Sequence, residues 1–451
     1  MKTARRTFIK NIAVAGAAFS IIPSSSLFGK EKDGKVRLGF IGVGLRGQNH
    51  VEQALYRSDT EVVAICDIQQ RMIDDTLALF SKQNKPKPQV IMDGPYGYKK
   101  LLELKDIDAV IIATPWEWHT IQCMDAMRAG KYVGCEVITG TTLDECWQLV
   151  HTSEQTGMPL MMLENVCYRR DVMAVLNMVR QNLFGELIHL QGGYQHDLRE
   201  VKFNDGKVPY GNGVEFGDKG FSEAQWRTNH SVFRNGDLYP THGIGPIAMM
   251  LNINRGNRFK KLVSYSTKAR GLHEYIVNNG GPSHPNAQVE FKLGDVVTTM
   301  ITTANEETIL LQHDTNLPRP YSLGFRVQGT KGIWMDLNKS VYIEGKSKPH
   351  QWEDSAAWFE KYDHPLWKKY AAAAEGAGHG GMDWFVLNGF IESVKRKTNT
   401  PQDVYDAVTW SAITPLSESS IELGGETVEF PDFTAGKWMQ RKNNFAIDDS
   451  Y

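Results

Sequence analysis

The sequence predicts an α/β protein with two domains: a parallel-sheet domain, then an α+β domain with an open, mostly antiparallel sheet. Three observations support this. A glycine-rich turn joins an apolar strand to a helix near the N-terminus, and buried strands then alternate with helices as far as residue 165. Beyond residue 165 the strands alternate apolar with polar residues, which is typical of a sheet with one solvated face. A chain of 451 residues is also too long for one small core.

The first strand and its turn have the pattern of a dinucleotide-binding fingerprint. The strand Val36–Ile41 runs into a G-x-G-x-x-G turn formed by Gly42, Gly44 and Gly47. In this motif the glycines permit a tight turn, the close approach of pyrophosphate and the close packing of helix on strand. The next apolar run ends at Asp67, about 20 residues after the last glycine, where a carboxylate reaches a ribose diol. We therefore predict a Rossmann domain.

Asp67 also indicates which nucleotide binds. A carboxylate accepts hydrogen bonds from two ribose hydroxyls but repels a 2′-phosphate, so NAD is favoured over NADP. Arg46 lies inside the glycine turn, where its position suits the pyrophosphate better than a 2′-phosphate.

Composition excludes several other classes of protein. The chain is 41% hydrophobic and 23% charged, with a net charge of −2, so nothing indicates nucleic-acid binding. Its five cysteines are an odd number without C-x-x-C spacing, so neither a zinc site nor a disulfide framework is predicted. His119, His230 and His313 do not form a metal-binding spacing, and we predict no metal.

Residues 1–30 have the features of a twin-arginine export signal. Arg5-Arg6-Thr7-Phe8-Ile9-Lys10 precedes an apolar run, Ile12–Ile22, that is too short to span a membrane. Such signals direct the export of a folded protein, so we predict a periplasmic or secreted protein that engages the twin-arginine export machinery. Because there is no pool of NAD outside the cytoplasm, an exported NAD protein must hold its cofactor tightly and recycle it in every turnover.

The nucleotide-binding domain is predicted to span residues 31–165, and several of its strands end in polar or aromatic residues. These ends are Trp116-Glu117-Trp118-His119 after Asp106–Pro115, Glu136 within Lys131–Val137, and Glu164-Asn165 after Pro159–Leu163. The carboxyl ends of the strands in an open parallel sheet face the ligand crevice, so we expect these residues there.

The second domain is predicted to span residues 166–451. Its predicted strands are Glu186–Tyr194, Ala287–Leu293, Val297–Thr303, Glu307–His313 and Tyr321–Gly329, and its predicted helices are Met382–Arg396 and Pro401–Glu422. Tyr362–Gly381 is predicted to be a loop or short helix over the site. An open sheet face favours a homodimer, because dimerisation buries apolar surface.

This organisation resembles the glucose–fructose oxidoreductase and inositol dehydrogenase family. Two departures argue against an ordinary sugar dehydrogenase. That family usually has Glu-Lys-Pro where this chain has Glu136-Val137-Ile138, so the catalytic lysine is missing. It also tends to have Asp-x-Gly-x-His where this chain has Leu238-Tyr239-Pro240-Thr241-His242, which keeps only the histidine; Asp237 lies one residue too early.

The chain resembles more narrowly the NAD-dependent α-N-acetylgalactosaminidases. The motifs shared with them are Gly44-Leu45-Arg46-Gly47, Trp116-Glu117-Trp118-His119, Glu164-Asn165, Trp226-Arg227 and Tyr239-Pro240-Thr241-His242. Fingerprint and resemblance together assign to NAD residues Gly42, Gly44, Leu45, Arg46, Gly47, Asp67, Trp116, Glu117, Trp118, His119, Glu136, Val137, Asn165 and Tyr239. The resemblance implies that the sugar meets Tyr194, Arg227, Tyr239, Pro240, Thr241, His242 and Tyr321.

The resemblance also implies a mechanism for cleaving a small glycoside or the non-reducing end of a glycan. Oxidation at C3 of the sugar acidifies the C2 hydrogen, elimination expels the C1 group, water adds, and reduction restores C3; NAD-dependent glycosidases are exceptions to the usual carboxylate-pair mechanism. We expect His242 and Tyr239 near C3, Tyr194 at C2, and Glu164 to orient one of them. An exported oxidoreductase of the glucose–fructose type and a non-catalytic sugar- or nucleotide-binding protein remain alternatives.

Overall fold

The computed structural model describes residues 34–451, and the predicted export signal, residues 1–30, lies outside the described residues. The chain forms two sheets. The first has six parallel strands in the order β3-β2-β1-β4-β5-β6, and the second has nine strands in the order β14-β13-β12-β11-β7-β10-β9-β8-β15. No helix of this part of the chain is long and apolar enough to cross a membrane.

The first sheet and its helices form the predicted Rossmann arrangement. Its strands are β1 Val36–Ile41, β2 Thr60–Cys66, β3 Gln89–Ile91, β4 Ala109–Ile112, β5 Tyr132–Cys135 and β6 Leu160–Met162. Its helices are α1 Leu45–Tyr56, α2 Gln70–Lys82, α3 Tyr98–Leu102, α4 Trp116–Arg128 and α5 Leu143–Thr156. Strand order reverses beside β1, which pairs with both β2 and β4, so the glycine turn after β1 lies at the usual ligand crevice.

The second sheet is mixed but mostly antiparallel, as the sequence predicts. Its strands are β7 Leu187–Gln195, β8 Phe259–Ser266, β9 Val296–Thr303, β10 Thr308–Asp314, β11 Arg326–Gly329, β12 Gly332–Met335, β13 Ser340–Ile343, β14 Glu353–Asp354 and β15 Val428–Glu429. The parallel pair is β7 with β10, in which Tyr194 stands opposite His313. This pairing makes β7 a central strand of the sheet, so its carboxyl end lies in the middle of one end of the sheet.

Within residues 34–451, ten α-helices accompany the second sheet. They are α6 Arg170–Arg180, α7 Arg199–Lys202, α8 Arg227–Phe233, α9 Thr241–Met250, α10 Gly271–Gly280, α11 Ser355–Lys361, α12 Pro365–Ala374, α13 Met382–Arg396, α14 Val404–Ser411 and α15 Ile413–Glu422. One apolar core cluster includes residues of both sheets, among them Phe40 and Leu190, so the crevice between the sheets has packed walls on both sides.

The strand prediction for Ala287–Leu293 is wrong. Pro285–Gln288 is a 3₁₀ helix, and the residues after it are irregular. The apolar alternation arises because Phe291 and Leu293 pack into two different apolar clusters. Both edges of β9 are already paired, with β8 and with β10, so no strand edge there is left for this segment.

Three other boundaries differ from the prediction. Pro401–Glu422 contains two helices, α14 and α15, and the first starts only at Val404 because Asp403 caps it. The strand predicted for Tyr321–Gly329 is confined to β11, with an isolated bridge at Ser322. Helix α12 occupies part of Tyr362–Gly381, which the sequence left as a loop or short helix.

Asp237 supports the turn that leads into α9. Its side chain is buried, and Oδ1 accepts a hydrogen bond from the backbone N–H of Tyr239 at 3.2 Å. Burial raises the pKa of the Asp237 carboxyl to about 7, although the hydrogen bond from Tyr239 partly opposes this change.

The glycine turn yields a stability prediction. A Cβ on Gly47 would overlap the carbonyl oxygen of Gly42, whereas a Cβ on Gly44 would meet nothing within 4 Å. We expect Gly47→Ala to lower the free energy of unfolding by about 1–3 kcal/mol, because overpacking outweighs the gain of alanine in a helix. Urea unfolding of NAD-free protein measures this, and Gly44→Ala is the matched control. Equal stability of the two variants would contradict the assigned packing role.

Asp237 yields a pH prediction. Its pKa is higher in the folded protein than the ordinary 3.8, so its contribution to stability is complete below about pH 4 and is lost as pH rises through about 7. Asp237→Asn keeps the hydrogen-bond acceptor without the ionisation. We expect the free energy of unfolding of the variant, relative to that of the wild type, to rise by about 4 kcal/mol between pH 4 and pH 8, as measured by urea unfolding. A difference independent of pH would refute this.

Candidate active site

The glycine turn and the start of α1 fit a dinucleotide. Leu45 opens the helix, which has no side-chain cap and no acidic residue in its first turn, so its free N–H groups can bind an anion. Gly42 adopts a φ of +83°, and space is open above Gly44. Asp67 follows β2 and stays beside the turn, where Oδ2 accepts a hydrogen bond from the N–H of Val43 at 2.8 Å.

Arg46 is held by carboxylates from both domains. Its Nε lies 2.6 Å from Oε1 of Glu136, and its Nη1 and Nη2 donate to Asp383 at 2.9 and 3.1 Å. Burial opposes the charge of each group, but the opposite charges prevail. They bring the pKa of Glu136 to about 2, hold the pKa of Asp383 far below its usual range, and raise the pKa of Arg46 above its own.

Three further side chains complete this charge network. Asn165 donates from Nδ2 to Oδ1 of Asp383 at 2.8 Å, His379 lies 2.7 Å from Oδ2 of Asp383, and His50 lies 2.6 Å from Glu136. Neither His50 nor Asp383 is predicted from the sequence as a site residue. Their partners lie 86 and 337 residues away along the chain, so no local pattern could reveal them.

Trp116 lies between the two domains and contacts both of them. Its Nε1 donates to the carbonyl oxygen of Val137 at 3.1 Å, and its ring stacks against Tyr239 with a centroid separation of 5.8 Å. The guanidinium of Arg227 lies over both rings, 5.3 Å and 5.1 Å from their centroids. Close by, both ring nitrogens of His119 lie 2.7 Å from backbone carbonyls; burial lowers the pKa of His119, although these contacts favour its protonated form.

Tyr194, Tyr239 and His242, the three predicted catalytic residues, lie close together in the structure. Their ring centroids are 4.7 Å apart for the two tyrosines, and 5.3 and 4.9 Å from the histidine to Tyr194 and Tyr239. Nδ1 of His242 lies 2.7 and 2.8 Å from the two oxygens of Glu164, which is fully buried. A carboxylate only accepts hydrogen bonds, so Nδ1–H is the donor in this contact, and in the neutral ring Nε2 then carries the lone pair that can take a substrate proton.

The two central tyrosines are protonated at rest. Burial raises the pKa of both Tyr194 and Tyr239 well above the ordinary value, although the neighbouring Arg227 acts in the opposite direction. Arg227 is itself paired with Glu223 at 2.9 Å. The hydroxyl of Tyr194 lies 3.2 Å from Nδ1 of His196, a partner that the sequence analysis missed. Burial lowers the pKa of His196 and so favours its neutral form.

Other predicted site residues lie around the cluster of Tyr194, Tyr239 and His242 or away from it. Tyr321 is 50% exposed, with its ring 4.9 Å from His196, and burial of its hydroxyl raises its pKa to about 12. Pro240 and Thr241 are buried in the turn that opens α9. Glu117 is exposed and lies 3.7 Å from His230. The ring of Trp118 packs edge-on against Tyr96, so the structure does not bring it to the aromatic cluster.

Two family models match the chain. Residues 168–440 match the C-terminal domain of glycosyl hydrolase 109, and residues 36–164 match the oxidoreductase family with an NAD-binding Rossmann fold. A glycosyl hydrolase family 109 protein of Stenotrophomonas maltophilia is 58% identical over 99% of both chains. An α-N-acetylgalactosaminidase of Tannerella forsythia is 51% identical over 99% of this chain and 100% of its own length.

Solved structures support the fold. A levoglucosan dehydrogenase in complex with NADH and L-sorbose matches with a TM-score of 0.65 at 17% identity, covering 89% of this chain and 100% of its own. The myo-inositol dehydrogenase of Lactobacillus casei with NAD(H) and myo-inositol matches with a TM-score of 0.60 at 14% identity, covering 90% and 100%. The family models and the relatives at more than half identity show that the chain belongs to glycosyl hydrolase family 109 and is an NAD-dependent glycosidase.

Proposed function

We propose that the enzyme hydrolyses terminal α-N-acetylgalactosamine, or a related galactoside, from the non-reducing end of a glycan. The proposed cycle is oxidation, elimination, water addition and reduction. The observation that carries it is the contact of His242 with the buried Glu164 beside Tyr194 and Tyr239. The α-N-acetylgalactosaminidase among its relatives supports this choice of substrate.

The sugar chemistry needs no pair of catalytic carboxylates. Bound NAD supplies the oxidation of C3 and, at the end of the cycle, its reduction. A ketone at C3 acidifies the hydrogen at C2, because the carbanion delocalises onto oxygen. Loss of that proton expels the group at C1, and water then adds to the resulting enone. The net reaction is hydrolysis.

His242 is the proposed base for the C3 hydroxyl. Its Nδ1 is fixed by both oxygens of Glu164, which hold the ring in one orientation and stabilise the imidazolium that forms when Nε2 takes the proton. Tyr239, protonated and 4.9 Å away between ring centroids, is placed to donate a hydrogen bond to the C3 oxygen.

Tyr194 is the proposed residue at C2. Its phenol is protonated at rest, so it needs a proton acceptor before it can act as a base. Nδ1 of His196 lies 3.2 Å from this hydroxyl and can accept its hydrogen bond, and the Arg227 cation favours the phenolate that deprotonation at C2 requires. The same cation stabilises negative charge that develops on the enolate oxygen.

The absence of the dehydrogenase lysine supports this assignment over an exported oxidoreductase of the glucose–fructose type. Val137 occupies the corresponding position, is buried, and accepts a hydrogen bond from Trp116 through its carbonyl oxygen. We also propose that the twin-arginine segment directs the folded enzyme, with NAD tightly bound, to the periplasm or the medium. A homodimer through the open sheet face is part of the same proposal.

A labelling experiment tests the mechanism. In D₂O the enzyme should release phenol from an aryl α-N-acetylgalactosaminide at a rate independent of added sugar acceptor, and the product should carry deuterium at C2. Removal of NAD should abolish release, and added NAD should restore it. Release without C2 deuterium would indicate a carboxylate-pair mechanism, and dependence on an acceptor would indicate an oxidoreductase.

The contact of Glu164 with His242 gives a second prediction. Glu164→Gln keeps the shape of the side chain but removes the charge that orients and stabilises the protonated imidazole. We expect kcat to fall by about 100-fold, within the range for general-base catalysis, while KM changes by less than about threefold. Glu418→Gln, which breaks a bidentate pair with Arg234, is the control and should retain kcat. Equal losses in the two variants would argue for a structural role.

A further inference from the structure

Asp383 belongs to the substrate domain, where His379 lies 2.7 Å from its Oδ2, but its other side-chain hydrogen bonds join it to the nucleotide-binding domain. It lies in the first turn of α13, and its carboxylate is fully buried. Both of its oxygens accept hydrogen bonds from Arg46, and Oδ1 also accepts one from Asn165 at 2.8 Å. A buried carboxylate that loses such partners pays a large desolvation cost, so these bonds resist separation of the two domains.

The segment leading into α13 is fitted closely to this contact. A Cβ on Gly378 would overlap Oδ2 of Asp383 and would lie 2.8 Å from Nδ2 of Asn49 in α1. Gly381 adopts a φ of +95°, and a Cβ there would lie 3.0 Å from the ring of Trp367. Only glycine fits at Gly378 without displacing Asp383 or Asn49, so the backbone there packs directly against the Asp383 carboxylate.

The partners of Asp383 are residues assigned to the cofactor. Arg46 lies in the glycine turn, and its Nε is at the same time bound to Glu136 at the end of the neighbouring strand. Asn165 follows the last strand of the parallel sheet. One carboxylate from the other domain therefore fixes two separate parts of the cofactor wall.

We propose that Asp383 is a positioning residue that locks the substrate domain onto the glycine turn and so keeps NAD bound between turnovers. This inference rests on the proposed function, which requires that NAD is retained. The turn moves away from the substrate domain only when the contacts of Asp383 with Arg46 and Asn165 break. Their loss therefore speeds NAD release more than it lowers the stability of the fold.

The test is the exchange of bound NAD for isotopically labelled NAD, followed by mass spectrometry of the holoenzyme. Asp383→Asn keeps the size of the side chain and removes its charge; we expect exchange to be at least about tenfold faster than in the wild type. Arg46→Lys is the second variant, because lysine cannot reach both carboxylates with a planar fork, and it should behave in the same direction. Asp363→Asn is the matched control, since Asp363 is a buried acid paired with Arg170 within the substrate domain.

The outcomes distinguish a failure of the Asp383 lock from a failure of the NAD retention that the proposed function requires. The lock is supported if the Asp383 and Arg46 variants exchange NAD faster than the wild type while the control exchanges it at the wild-type rate. The melting temperatures of Asp383→Asn and Asp363→Asn should then be similar. Wild-type exchange in both test variants, or equally fast exchange in all three, overturns the lock. If the wild type exchanges its NAD faster than it turns over glycoside, the retention required by the proposed function fails, whatever the ratio between the variants and the wild type.

Discussion

The charge network around Arg46 is the interaction on which the site depends. One guanidinium bridges Glu136, at the end of a Rossmann strand, and Asp383, at the start of a helix in the other domain. Burying these charges without partners would cost several kcal/mol each, so the network forms only when both domains are folded and docked. The shape of the cofactor crevice therefore depends on an ion pair as much as on the Rossmann turn.

An aromatic contact sets the position of the second domain relative to the first. The ring of Trp116, from the Rossmann side, stacks on Tyr239, and Arg227 covers both rings. Tyr239 is followed by the turn into α9, whose first residues include His242. The bond of Trp116 to the Val137 carbonyl therefore also helps to position Tyr239 and His242, the residues proposed for proton transfer. The wall of the cofactor site and the catalytic cluster are thus parts of one packed unit.

How far the sequence predicted this structure depended on whether the signal was local. The glycine turn, the carboxyl ends of the strands and the helix Met382–Arg396 correspond to short, regular sequence patterns. The turn and the helix lie where they are predicted, and the strand ends lie within three residues of the prediction. The strand predicted for Ala287–Leu293 failed because apolar alternation cannot show whether a sheet edge is free. The resemblance to a family located Tyr194 and His242. By contrast, Asp383 and His196 had no signal, because their roles arise from side-chain contacts that only the folded domains create.

The pairing of the acids in the crevice bears on why such a glycosidase would use redox chemistry. A carboxylate-pair hydrolase needs one acid to protonate the leaving group and a second to attack or to activate water. Here Glu164 is bound to His242, and Glu136 and Asp383 are bound to Arg46. The pKa values of Glu136 and Asp383 are held low by these partners, so neither is a proton donor near neutral pH. Acids that are paired in this way can orient a base or position the residues that line the cofactor site. The proposed elimination from a ketone requires no further role of these acids.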